Sequence, residues 1–220
     1  MTSHTNYTLP SSAQEVLQFW FPIPPDCDQA TLVRQWQQWF QGGANEEISD
    51  RFSPLLEQAI RGELDDWASE PRSRLALIIV LDQFSRSIYR GTAQAFAQDP
   101  KACQLALEGI AVGHYAALET PWEKTFFFLP LGHSGDLKKS ELVVQLAEDL
   151  VQETPPEYQA LLEFSAAQAR RNRDVIAKFG RHPHRNEVLG RRSTPEELEY
   201  VAKGEFTHTR PMPPHLSRYL

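Results

Sequence analysis

"LALIIVLDQFSRSIYRG", residues 75–91, begins as an unbroken apolar run and ends as a charged one. At 100° per residue, Leu77, Val80, Phe84 and Ile88 share one side of a helix. Leu75 and Ile79 fall on the opposite side, so the first half is apolar nearly all round. Such a helix belongs in the middle of a bundle, with neighbours on every face. Asp82, Arg86 and Arg90 continue the Leu75/Ile79 stripe at i, i+4 and i+8. A face that points into protein upstream therefore carries a carboxylate and two guanidiniums downstream. Buried charges are costly unless paired or hydrogen-bonded. Asp82 precedes Arg86 by one turn, the favoured acid-first order, and Arg90 has no obvious local partner. Two readings fit this pattern. The charges form a buried ion-pair network, or spare cationic capacity faces a cleft and holds a carboxylate or phosphate.

Helix start signals recur around this segment. Ser12 with Glu15, Thr120-Pro121 with Glu123, and Thr194-Pro195 with Glu197 read as capping boxes. Asp99-Pro100 and Thr154-Pro155 read as a cap followed by a first-turn proline. The longest helix runs through "TPPEYQALLEFSAAQARRNRDVIAKF" to a C-cap at Gly180. Trp36, Trp39 and Phe40 stand at i, i+3, i+4, a core stripe rather than a cofactor cradle, in a helix stopped by Gly42-Gly43. Hairpin turns and sustained alternation are missing from the sequence. The chain is expected to be all-α, with about eight helices in one domain over residues 1–203. Residues 204–220, "GEFTHTRPMPPHLSRYL", read as a peripheral proline-rich tail.

Composition narrows the function classes. In 220 residues, 41% are hydrophobic and the net charge is −7, which argues against wholesale binding of nucleic acid or anionic membrane. The acidity is uneven. Between Gln168 and Arg192 stand seven Arg and one Lys against Asp174 and Glu187 alone. A local positive region on an acidic chain suits a small anionic ligand better than a polyanion. Cys27 and Cys103 are far apart and lack CxxC spacing, so neither a disulfide framework nor a zinc site is indicated. With no signal-peptide pattern at the start of the sequence and no apolar run long enough to span a membrane, the expected location is cytoplasmic. No phosphate-loop or dinucleotide motif occurs, and no cofactor or metal is expected. His182-x-His184 lacks spaced carboxylates and sits among positive neighbours, a poor setting for a dication.

Two further stretches supply polar groups. "FFFLPLGHSGD", residues 126–136, places His133 and Ser134 at an expected break after Pro130 and Gly132, where backbone N–H groups would be free. "FGRHPHRNEVLGRR", residues 179–192, offers His184, Arg185 and Asn186 in a proline-stiffened loop. Together with the central helix, these blocks resemble the bacterial domain-of-unknown-function family 924 over residues 15–203, and "VLQFWF" and "GELDDW" also fit. The resemblance implies a tetratricopeptide-like helical fold and brings no activity with it. Asp82, Gln83, Arg86, Arg90, His133, Ser134, Arg181, His184, Arg185, Asn186 and Arg191 match the family's pattern. The chain departs from that pattern at Ser85, Ser87, Gly135, Asn172 and His182.

The expected site therefore joins Asp82, Arg86, Arg90, Ser134, Arg185 and Asn186 as ligand-binding groups, with His133 and His184 as candidate acid–base residues. The alternative is a protein-interaction scaffold in which the same motifs are structural.

Overall fold

In the computed structural model, residues 8–41, 45–204, 206 and 211–220 are described. Their fold is an all-α helical array, without strands among the described residues. The helices are α1 (Ser11–Trp20), α2 (Gln29–Gln41), α3 (Asn45–Ile60), α4 (Pro71–Ile79), α5 (Ser85–Ile88), α6 (Asp99–Ala111) and α7 (Pro121–His133). They continue as α8 (Leu137–Glu153), α9 (Pro156–Phe179), α10 (Pro195–Lys203) and the short α11 (Pro214–Ser217). Nine of these have nine residues or more, close to the eight expected. Gly42-Gly43, read as the stop of α2, lie outside the described residues.

The charged-ended segment sits where its periodicity placed it. Every residue from Leu75 to Asp82, and Phe84, is fully buried, with α1, α3, α6 and α7 packed around it. The periodicity misses one feature: between α4 and α5 the helix widens into a π turn, Val80–Phe84. A π turn inserts one extra residue and rotates the next turn of the helix, so the simple 100° projection no longer holds beyond Val80. Asp82 lies inside this widened turn.

The aromatic stripe of α2 is core, as its spacing indicates. Phe126 of α7 meets Trp39 at 5.0 Å, Trp20 at 5.4 Å and Phe40 at 5.7 Å between ring centroids. This ring cluster locks α1, α2 and α7 together. Trp39 Nε1 donates to the Trp20 carbonyl at 2.7 Å, satisfying one of the acceptors that the end of α1 leaves open.

The capping expectations divide. Thr120 and Thr194 form complete capping boxes with Glu123 and Glu197. Ser12 does not cap: α1 starts at Ser11 behind Pro10, and Glu15 instead pairs with Arg51 at 3.0 Å. Thr154 does not cap α9 either, because its hydroxyl donates back to Leu150 at the end of α8. Asp99 opens α6 but its side chain makes no cap hydrogen bond. The break expected at Pro130 is also absent: α7 runs through Pro130 and Gly132 to His133. Deep apolar burial of Phe126 to Phe128 and Leu131 outweighs the hydrogen bond that one proline removes. Near the chain's end, expected to be peripheral, Met212 and Leu216 are buried in the main core.

Candidate functional site

The site grows from the C-terminal end of α7. The last carbonyls of a helix lack helical donors and need partners. Ser134 Oγ donates to the Leu131 carbonyl at 2.7 Å, His182 Nε2 to Gly132 at 3.0 Å, and Arg185 Nη1 to His133 at 3.1 Å. Pro183 and its single 3-10 turn (Pro183–Arg185) hold His182 and Arg185 at the spacing that reaches two successive carbonyls. A cation at this end also complements the helix dipole. The corner after Gly180, itself a left-handed cap at φ 67°, is thus a socket for the end of α7.

The same corner closes an ion-pair network. Asp82 Oδ1 lies 2.8 Å from His133 Nδ1 and 3.1 Å from Arg86 Nη1, and Gln83 Nε2 donates to Oδ2 at 2.5 Å. Arg86 also donates to the Asp82 carbonyl at 2.6 Å. Its other amino group reaches Asp99 Oδ1 at 2.8 Å, while Arg185 Nη1 holds Asp99 Oδ2 at 2.9 Å. Asp99 therefore bridges two arginines that lie 99 positions apart in the chain. Phe96 lies beneath both guanidiniums, 4.5 Å from Arg185 and 5.6 Å from Arg86.

Burial would raise the pKa of Asp82, but Arg86, His133 and Gln83 outweigh it and hold the carboxyl well below the usual carboxylate range. Burial, with Arg86 close by, pushes Arg185 down to about 10 despite Asp99. His182 is pushed down to about 2 by burial, then by Arg185, His184 and His133, so it is neutral. A neutral imidazole that donates through Nε2 to Gly132 is a structural strut, and among the described residues no group of three or more His, Cys, Asp or Glu is placed to hold a metal ion.

The network forms one wall of a cleft of about 1090 Å³. Arg86, Arg90, His133, His184 and Arg185 all line it, and Trp20, Trp39, Phe40 and Phe96 supply apolar surface. Arg90, exposed in the turn after α5, gains a partner that its sequence neighbourhood does not supply: Asn45 Oδ1 at 3.0 Å, at the start of α3. Arg185 Nε and Trp20 Nε1, both buried, have no hydrogen-bond partner among the described residues. His184 packs its ring against His182 at 5.5 Å and Phe206 at 5.3 Å.

Three expected ligand residues are placed elsewhere: Asp82 is wholly buried in the network behind the cleft, and Ser134 and Asn186 lie outside the lining as well. Ser134 caps α7 and is absent from the cleft lining, and Asn186 is buried in the corner, donating to Ser193 at 3.0 Å. Arg181 forms a two-pronged pair with Glu197, at 2.6 and 2.7 Å, tying α10 to the corner. Asp99 is the residue the sequence reading misses. Its position before Pro100 gives it a ready explanation as a cap, which hides its long-range role.

A family model described as "Bacterial protein of unknown function (DUF924)" matches residues 16–205. A solved structure of a protein of unknown function from Agrobacterium tumefaciens is similar, with 33% sequence identity and a TM-score of 0.65. The likeness covers 88% of this chain and 98% of that one. No curated protein matches.

Proposed function

Since the chain belongs to the DUF924 family, whose description carries no activity, we propose from the cleft itself that the protein binds a small anionic ligand there. One observation carries this reading: three arginines and three histidines from three separate chain segments converge on a single cleft, against Glu46 and Glu47 at the start of α3.

The roles of the arginines differ. Arg86 is committed to Asp82 and Asp99 and shapes the wall. Among the described residues Arg90 carries no carboxylate partner, so it supplies the charge that a ligand carboxylate or phosphate would neutralise. The aromatic side of the cleft is suited to an apolar portion of the same ligand. A tetratricopeptide-like scaffold would use such a concavity for an extended peptide. The concentration of cationic groups at one end favours the smaller ligand. Both cysteines are buried and free, which supports a cytoplasmic setting. Among the described residues, no helix is long and apolar enough to cross a membrane.

The test is a thermal-shift titration with inorganic phosphate on the wild type and Arg90→Met. The expected result is saturable stabilisation of the wild type. In Arg90→Met, affinity should fall about tenfold while the ligand-free Tm stays nearly unchanged, since an exposed side chain away from buried pairs contributes little to stability. Equal stabilisation of both proteins would refute the reading.

A further inference from the structure

We propose that His133, positioned by Asp82, is the proton-transfer group of this cleft, exchanging a proton through Nε2 with the molecule bound beside it. This rests on the proposed anion binding and adds the chemistry that the site performs. Three observations carry it. His133 is the last residue of α7 and lines the cleft, with about a fifth of its side chain exposed. Its Nδ1 faces the Asp82 carboxylate at 2.8 Å, so in the neutral ring the proton sits on Nδ1 and Nε2 carries the basic lone pair. Asp82 is itself fixed, being wholly buried in the π turn and held by Gln83 and Arg86. A buried carboxylate that orients an imidazole whose other nitrogen is open to a cleft is the arrangement of a general base.

The other histidines are differently employed. His182 is buried and spends Nε2 on the Gly132 carbonyl. His184 is packed between the rings of His182 and Phe206. His133 also has cationic neighbours on both sides, Arg86 from the central helix and Arg185 from the corner, each restrained by Asp99 of α6. An anion bound against these groups would bring its oxygen, or a water beside it, to the open nitrogen. In the transfer, a hydroxyl of the bound molecule, or the water beside it, gives its proton to Nε2: the O–H bond breaks with its electron pair left on the oxygen, the Nε2–H bond forms, and the imidazolium charge is offset by Asp82. Return of the proton restores the neutral ring, so none is consumed. Asp82 acts through His133 and is a positioning residue.

Sulfate is a suitable probe because it does not itself titrate near neutral pH. Calorimetric titration in buffers of different ionisation enthalpy reads affinity and proton uptake together. In the wild type, sulfate should bind with proton uptake, weakening by up to about tenfold for each pH unit above the pKa of the group that takes up the proton. His133→Gln should abolish the uptake and flatten the pH dependence, and His184→Gln should retain both. Imidazole nitrogen NMR on the wild type, which needs no variant, should show the Nδ1–H tautomer for His133 and protonation at Nε2 when sulfate is added.

Sulfate binding without proton uptake, or uptake that survives His133→Gln, would overturn this proposal and leave the binding site standing. If sulfate and phosphate both fail to bind at any pH, the anion reading falls and this inference falls with it.

Discussion

Arg86 is one of two cations that could face a ligand or a buried network, and the structure gives it work in both places. Its guanidinium lines the cleft, yet its hydrogen bonds go to Asp82 and Asp99, whose side chains are 1% and 9% exposed. Removing it would leave Asp82 to His133 and Gln83 alone and Asp99 to Arg185 alone, and losing one partner of a buried pair costs about 3–5 kcal/mol. Arg86→Met should therefore lower stability by that order in chemical denaturation, whatever it does to binding. A loss below about 1 kcal/mol would show the network to be dispensable. Arg90 is the opposite case, exposed and bonded to a neutral amide. The charged stripe is legible in the sequence because Asp82, Arg86 and Arg90 are local to one another. Asp99 is not, because nothing in its neighbourhood shows that Arg185, 86 positions away, shares its carboxylate.

Capping decides most of the architecture at the level of the element. Thr120 and Thr194 are readable because hydroxyl, proline and glutamate lie within four residues and satisfy each other locally. The end of α7 is not readable, since its acceptors are met by His182 and Arg185 from half a hundred residues downstream. The π turn also escapes the periodicity, since a single inserted residue leaves no distinct mark in so apolar a run. His182 as a cap has a consequence in pH. Its folded-state pKa, about 2, lies below the ordinary 6.5, so the unfolded chain takes up a proton as pH falls through 6.5. Stability from this group is complete above pH 6.5 and declines below it, by up to about 1.4 kcal/mol per pH unit. His182→Gln keeps a donor at Nε2 and removes the titration. Denaturation curves at about pH 6.5 and one unit lower should then show a smaller loss for the variant than for the wild type. An equal loss would mean that His182 is solvated and titrates normally.

For the whole molecule, the central buried helix and the ring cluster around Phe126 form a frame, and the cleft lies where that frame meets the corner at residues 181–186. The overall balance of charge is acidic outside a short basic segment, the setting in which the proposed capture of a small anion would take place. Much of the basic segment is internally engaged: Arg170 pairs with Glu148, Arg173 with Asp174, Arg181 with Glu197 and Arg185 with Asp99. Half of the cations in this positive region are thus engaged in ion pairs, and the proposed ligand would draw its charge from Arg90, which lies outside the region. The most direct measurement is an NMR titration of inorganic phosphate into the protein, tracking the arginine Nε–H signals. The signals of Arg185 and Arg90 should move together and saturate with one dissociation constant, with exposed Arg51 and Arg61 unaffected. Shifts spread over the exposed arginines, or none at Arg185, would contradict anion binding in the cleft.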